Sequence, residues 1–151
     1  MAEIVYHTLI EQPVFRTYVF YVAILSLKLL AMSVLTSIQR FKHSAFANPE
    51  DAGPRKLKVN VNENVERVRR AHLNDLENIP IFFVVALIYL TTNPPVFLAT
   101  MLIRLFTISR FIHSFVYAVV VLPQPSRALS FAVGYFITGY MAVNSIFYYL
   151  L

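Results

Sequence analysis

The stretch Glu63–Leu90, ENVERVRRAHLNDLENIPIFFVVALIYL, decides the fold, because a charged segment passes directly into a strongly apolar one. At about 100° per residue, one face of a helix here carries the polar side chains of Arg67, Arg70, Asn74, Glu77 and Asn78. A charged side chain inside a bilayer costs on the order of 3 kcal/mol or more. The polar face therefore predicts compensating groups, supplied by neighbouring helices, by a charged ligand, or by both.

The composition excludes a water-soluble domain. Of the 151 residues, 58% are hydrophobic and only 14% are charged, and the mean hydropathy is +0.61. Since each membrane crossing needs about 20 apolar residues, the length predicts an all-α integral membrane protein with one domain, residues 1–151, built as a four-transmembrane-helix bundle. The net charge of +5 does not indicate a nucleic-acid partner, because the basic residues lie between apolar segments.

The predicted spans are residues 14–40, 64–91, 96–122 and 127–150. Residues 41–63 form the only long polar loop, and Ser126 is expected to cap the last helix. Lys28 lies near the middle of the first span. The favoured interpretation is that Lys28 turns into the bundle and pairs with a neighbouring helix.

The charges of the connections predict the orientation in the membrane. Basic residues are frequent in the first connection, absent from the second and represented in the third only by Arg127. The positive-inside rule therefore places the first and third connections in the cytosol and both termini on the opposite side.

The chain contains no cysteine, which excludes disulfides, a cysteine nucleophile and cysteine metal ligands. If sulfur chemistry occurs here, the sulfur must belong to a ligand. The spacing of His72 and His113 does not suit a metal site, so no metal is predicted.

Arginines from all four spans are predicted to meet near the cytosolic face. These are Arg40, Arg70, Arg110 and Arg127. Arginine binds carboxylates with two parallel hydrogen bonds and stays charged when desolvated. Glu77 would accept a ligand ammonium or pair with Arg110, and Asn74 and Tyr117 add neutral hydrogen bonds. A ligand with carboxylates, an amine and a thiol fits this set, and glutathione has these groups.

The alternative is that these charges pair only with one another and hold the helices together. For Glu77 and Arg110 both interpretations stay open, whereas across the whole cluster the arginines outnumber the available acids. Arg127 is the candidate for thiolate stabilisation, because it follows a rigid Pro-Gln-Pro turn at the membrane surface. There a soluble thiol can meet a membrane-dissolved electrophile.

Several stretches resemble the membrane-associated proteins in eicosanoid and glutathione metabolism, especially their glutathione transferase branch. They are AFANPEDA (Ala45–Ala52), VERVRRAHLNDLENI (Val65–Ile79), the Arg110-x-x-His113-x-x-x-Tyr117 spacing and LPQPSRALSFAVGY (Leu122–Tyr135). The resemblance implies a homotrimer of four-helix protomers, with glutathione held between subunits near the cytosolic face. It also implies a location in the endoplasmic reticulum membrane, with the mitochondrial outer membrane as a further one.

The resemblance assigns roles by position. The implied glutathione-binding residues are Arg40, Arg70, Asn74, Glu77, Arg110, His113 and Tyr117. Arg127 matches the arginine that stabilises the thiolate. Leu73, Ala128 and Phe131 depart from the prostaglandin E synthase branch and favour the general transferase. Ala52 stands where some transferases carry a cysteine linked to activation by thiol reagents, so no such activation is expected.

The implied function is detoxification: conjugation of the glutathione thiolate to hydrophobic electrophilic small molecules that arrive from the lipid bilayer. Reduction of lipid hydroperoxides is a second activity to be considered. Two alternatives stay open, a glutathione-dependent isomerase like prostaglandin E synthase and a non-enzymatic membrane scaffold.

Overall fold

The computed structural model describes residues 12–52 and 59–151, and within them every regular element is helical. The long helices are α1 (Pro13–His43), α3 (Glu63–Thr91), α4 (Val96–Ser114) and α5 (Ser126–Leu150), and the short helix α2 is Pro49–Ala52. A π-helical turn, Phe115–Val119, extends α4. Four helices are long and apolar enough to cross a membrane, which confirms the predicted all-α, four-helix class.

Helix α3 runs unbroken from its polar start into its apolar half. The Asn62 side chain caps it by accepting a hydrogen bond from the Asn64 N–H at 2.9 Å. Pro80 lies inside the helix and removes one backbone donor. Membrane helices tolerate such a proline because neighbouring groups and local adjustments satisfy the freed carbonyl.

The helical path of the third span ends at Val119, because Val120 adopts an extended backbone ahead of the Pro123–Pro125 turn, where prolines disfavour helix. One local prediction needs correction. Ser126 is the first residue of α5, not its cap, and its hydroxyl donates to the Pro123 carbonyl at 2.6 Å. The Gln124 side chain instead accepts from the Ala128 N–H at 3.3 Å.

The helices pack so that α1 and α5 occupy opposite corners. Helix α1 contacts α3 and α4, α5 contacts the same two helices, and α1 and α5 share no contact within the described ranges. The centre is apolar, and the rings of Phe82 and Phe106 stack there with centroids 3.6 Å apart and planes 5° from parallel. This stack joins α3 to α4 in the middle of the bundle.

The outward surface of the long helices is also apolar. Phe20, Leu30, Ile81 and Phe136 are among many large hydrophobic side chains exposed on it. In lipid such residues experience no force toward the core, because lipid tails are as apolar as they are. Close packing and interior polar contacts must therefore hold the helices together.

Candidate functional site

A groove of about 380 Å³ opens between the first half of α3, the end of α4 and the start of α5. It is lined by six of the predicted site residues, which are Arg70, Asn74, Glu77, His113, Tyr117 and Arg127. Its remaining walls are Leu73, Gln124, Ala128 and Phe131. Three segments far apart in sequence thus present polar groups to one space.

Helix α3 supplies Arg70, Asn74 and Glu77 at spacings of four and three residues, which share one helix face. The guanidinium of Arg70 pairs with the carboxylate of Glu63 at the surface. Because exposed ion pairs contribute little, a ligand anion can compete for Arg70 at low cost.

The π-helical turn carries Tyr117 between α4 and α5. The turn is wide because the Val120 N–H bonds back to the Phe115 carbonyl at 2.9 Å. The Tyr117 ring meets the His113 ring edge-on, with centroids 5.7 Å apart. The guanidinium carbon of Arg127 lies 4.4 Å from the Tyr117 ring centroid. This cation–π contact fixes Arg127 without neutralising its charge.

Two charges in the groove lack an ionic partner. Within the part of the chain that the structure describes, no carboxylate lies within 4.0 Å of Arg127 and no cation within 4.0 Å of Glu77. Glu77 is exposed and Arg127 partly buried. The groove therefore offers one free cation and one free anion, together with the weakly paired Arg70.

Arg110 lies behind the groove wall rather than on it. Its side chain is 1% exposed and donates to Asp75 Oδ1 from Nη2 at 2.7 Å and from Nε at 3.2 Å. Nη2 also donates to Asn74 Oδ1 at 2.6 Å and lies 3.5 Å from His113 Nδ1. Asp75, and not Glu77, is thus the partner of Arg110, which removes the Glu77–Arg110 pair that the sequence left open.

Lys28 completes this buried network. Its ammonium pairs with Asp75 Oδ2 and donates to Ser114 Oγ at 2.7 Å, and Ser114 Oγ donates to Asp75 Oδ2 at 2.8 Å. The prediction that Lys28 turns into the bundle and pairs with another helix is confirmed. Four hydrogen bonds to one carboxylate tie α1, α3 and α4 together.

Arg40 does not line the groove. It lines a separate cavity of about 630 Å³, together with Ser33, Asp51 and His72. The prediction that all four arginines meet is therefore wrong within this chain. The reason is the packing order, because α1, which carries Arg40, lies diagonally opposite α5, which carries Arg127.

Asp75 is absent from the predicted site residues, because those on α3 all lie on its polar face. Asp75 lies instead on the buried face of the helix, which it shares with Val68, Ala71, Ile79 and Phe82. A lone acid at an apolar position of a membrane helix is itself a signal, since such a group needs a buried partner. The buried Lys28 supplies that partner.

Comparison with known proteins shows the family of the chain. Residues 18–147 match the MAPEG family, the membrane-associated proteins in eicosanoid and glutathione metabolism. The chain belongs to this family. The resemblance drawn from the sequence motifs is thereby confirmed.

Individual relatives in the family carry two kinds of name. Microsomal glutathione S-transferase 1 of Mus musculus is 41% identical over 140 residues, which cover 89% of this chain and 90% of the relative. The Homo sapiens protein of that name is 42% identical over 138 residues, covering 87% and 88%. Prostaglandin E synthase of Equus caballus is 35% identical over 124 residues, covering 80% of each chain. These similarities support a glutathione-dependent enzyme of the membrane.

Proposed function

We propose that this MAPEG protein is a glutathione transferase that joins the thiolate of glutathione to hydrophobic electrophiles dissolved in the membrane. The observation that carries the proposal is the groove in which Arg127, held by Tyr117, has no carboxylate partner among residues 12–52 and 59–151. An unpaired guanidinium at the edge of an apolar bundle favours an anionic ligand.

Glutathione matches the groove group by group. Its carboxylates suit Arg70, its ammonium suits the unpaired Glu77, and the amide of Asn74 supplies a hydrogen bond to its backbone. Its sulfur is placed beside Arg127, which has no carboxylate partner among the described residues.

Arg127 is sufficient to ionise the thiol. A free thiol with a pKa near 8.5 needs about 2.7 kcal/mol to become mostly thiolate at neutral pH. One guanidinium at about 4 Å contributes about 4 kcal/mol at an effective dielectric near 20. A single well-placed arginine therefore keeps the sulfur anionic.

The electrophile reaches the sulfur from the lipid side. Leu73, Ala128 and Phe131 give the groove an apolar wall next to its charged one. With a chlorinated nitroaromatic, the sulfur attacks the carbon that bears chlorine, a carbon–sulfur bond forms, and chloride leaves. Holding both reactants in one groove lowers the barrier by several kcal/mol through orientation alone. Reduction of lipid hydroperoxides by the same thiolate is a second activity to assay.

The working assembly is a homotrimer in the endoplasmic reticulum membrane, with the first and third connections in the cytosol. A trimer would account for Arg40, which lines a separate cavity within one chain. In the trimer, Arg40 of a neighbouring subunit would reach the ligand in the groove. Co-expression of Arg40→Ala and Arg127→Ala chains tests this arrangement. Mixed trimers that recover conjugation support a shared site, and mixtures as inactive as either parent contradict it.

The direct test is conjugation of glutathione to a chlorinated nitroaromatic by the purified protein. The expected result is turnover together with a rise in thermal stability at millimolar glutathione, because a ligand that binds the folded state stabilises it. Absence of both turnover and a thermal shift would favour a non-enzymatic scaffold.

The similarity to prostaglandin E synthase supports a second candidate, a glutathione-dependent isomerase of an oxygenated lipid. It would use the same groove and the same thiolate. Ala128 and Phe131, which line that groove, differ from the residues of that branch and weigh against it. Product analysis with a lipid endoperoxide separates the two, since only an isomerase returns a product without glutathione attached.

A further inference from the structure

The buried network carries more positive than negative charge. Lys28 and Arg110 are cations, Asp75 is the only carboxylate among the described residues that is bonded to them, and all three side chains are at most 5% exposed. Within the described residues, no second acid lies within 4.0 Å of either cation. A net charge of this kind is costly inside a bundle unless a nearby anion balances it.

The network is in direct contact with the groove wall. Arg110 has hydrogen-bond donors only, so it fixes the oxygen of the Asn74 amide toward itself. The amide nitrogen of Asn74 then remains for a molecule in the groove, which Asn74 lines. The positive charge of the network therefore lies one side chain away from the ligand space.

The titratable and charged groups facing that space come from each helix around it. They are Arg70 and Glu77 from α3, His113 from α4, Tyr117 from the π-helical turn and Arg127 from α5. Arg70 pairs with Glu63, so Arg127 and Glu77 are the groove charges without an ionic partner among the described residues. The excess charge behind the wall has the same sign as Arg127 and adds to its effect on a ligand.

We propose that Lys28 is a positioning residue whose buried charge, acting through Asp75 and Arg110, makes the groove selective for a ligand with a negatively charged sulfur group. This inference rests on the proposed function and names a residue on α1, which contributes nothing to the groove lining. Lys28 itself is buried and bonds to Asp75 and Ser114, and it does not line the groove.

Two glutathione derivatives measure this selectivity. Glutathione sulfonate carries a permanent negative charge at the sulfur, whereas S-methylglutathione has a neutral sulfur and the same peptide. The dissociation constants of both derivatives are measured on the purified protein. Because the peptide is the same in both, their ratio reports the response to charge at the sulfur.

Lys28→Met should lower the preference for the sulfonate roughly tenfold. This is the effect expected from removing one unit charge on the order of 10 Å from the sulfur, at an effective dielectric near 20. Lys28→Arg keeps the charge and should keep the preference. Lys42→Met, an identical change at an exposed position of the same helix, is the matched control and should leave the ratio unchanged. If Lys28→Met does not fold, Lys28→Gln, which retains a donor for Asp75, makes the same measurement.

A second readout is the pH at which bound glutathione becomes a thiolate, followed by its ultraviolet absorbance. Removing a nearby positive charge disfavours the anion, so the midpoint should rise by about one pH unit in Lys28→Met. A role of Lys28 in packing alone would weaken both derivatives equally and leave the midpoint in place.

The inference is overturned if Lys28→Met retains the wild-type preference, or if Lys28→Arg loses it to the same extent. Wild-type protein that binds neither derivative would refute the proposed function as well. Wild-type binding with an unchanged ratio in Lys28→Met would refute the inference alone.

Discussion

Two polar regions lie side by side in the same half of the bundle, separated by Asn74. In the buried network, the carboxylate of Asp75 accepts hydrogen bonds from Lys28, Arg110 and Ser114. In the groove, Arg127 contacts an aromatic ring, and within the described segments no acid lies within 4.0 Å of it. Both regions place charges among apolar helices, yet only the network satisfies its carboxylate internally.

The difference separates charges that hold the protein together from charges that bind. Breaking a buried pair leaves an uncompensated charge and costs several kcal/mol, so the network should dominate stability. An accessible guanidinium without a partner adds little to stability and is free for a ligand. Substitutions in the two regions should therefore produce opposite patterns of stability and activity.

The largest effect is expected from Asp75→Ala, which leaves Lys28 and Arg110 without their counter-charge. We expect a loss of about 3–5 kcal/mol in the free energy of unfolding, measured as thermal or denaturant unfolding in detergent. The control Glu50→Ala removes an exposed carboxylate and should change stability by less than about 0.5 kcal/mol. A fully stable Asp75→Ala protein would show that the network does not hold the helices.

Arg127→Ala should give the opposite pattern. We expect conjugation to fall about 100-fold or more, because one preorganised group that stabilises an anion typically contributes that much. The thermal midpoint without ligand should stay near the wild-type value. Arg16→Ala, at an exposed position near the start of α1, is the control and should keep full activity. Unchanged turnover in Arg127→Ala would remove its role as thiolate stabiliser.

Substitutions at the two glycines of α5 test how tightly this helix packs, because Gly134 lies beside the network and Gly139 faces open space. A side chain at Gly134 would meet Ser109 Oγ at 3.1 Å and the Arg110 side chain at 3.5 Å, whereas one at Gly139 would meet nothing within 4 Å. Gly134→Leu should therefore cost about 1–3 kcal/mol, and Gly139→Leu should be close to neutral in unfolding experiments. A large loss in Gly139→Leu would indicate that another subunit covers that face.

The smallest effect concerns thiol reagents. The chain has no cysteine, and Ala52, where the resemblance implies a reactive cysteine in some transferases, is buried. Treating the purified protein with N-ethylmaleimide, followed by removal of excess reagent, should leave conjugation unchanged. An increase in turnover through modification of the protein would contradict this prediction.

Much of this architecture follows from helical periodicity. The four spans, the shared face of Arg70, Asn74 and Glu77, and the inward turn of Lys28 all depend on residue spacing and on the cost of exposing a charge to lipid. These features are local to one helix, so a single sequence contains the information needed to predict them.

The partners of the charges depend on which helices are neighbours, and spacing does not contain that information. Arg110 pairs with Asp75 instead of Glu77 because α4 packs against the buried face of α3. Arg40 stays apart from Arg127 because α1 and α5 are diagonal. The wide turn that carries Tyr117 was also unpredicted, since its residues have no distinctive pattern.

The stacked rings of Phe82 and Phe106 have a consequence for the membrane itself. Phe106 comes four residues before Arg110, and Phe82 comes seven after Asp75, so the stack closes the bundle directly beneath the network. Beyond it, toward Tyr89 and Met141, the described residues bury no charged side chain. All buried charged side chains of the described residues therefore lie on one side of this aromatic stack, so the interior of the bundle beyond it can stay in lipid without any buried ion to neutralise.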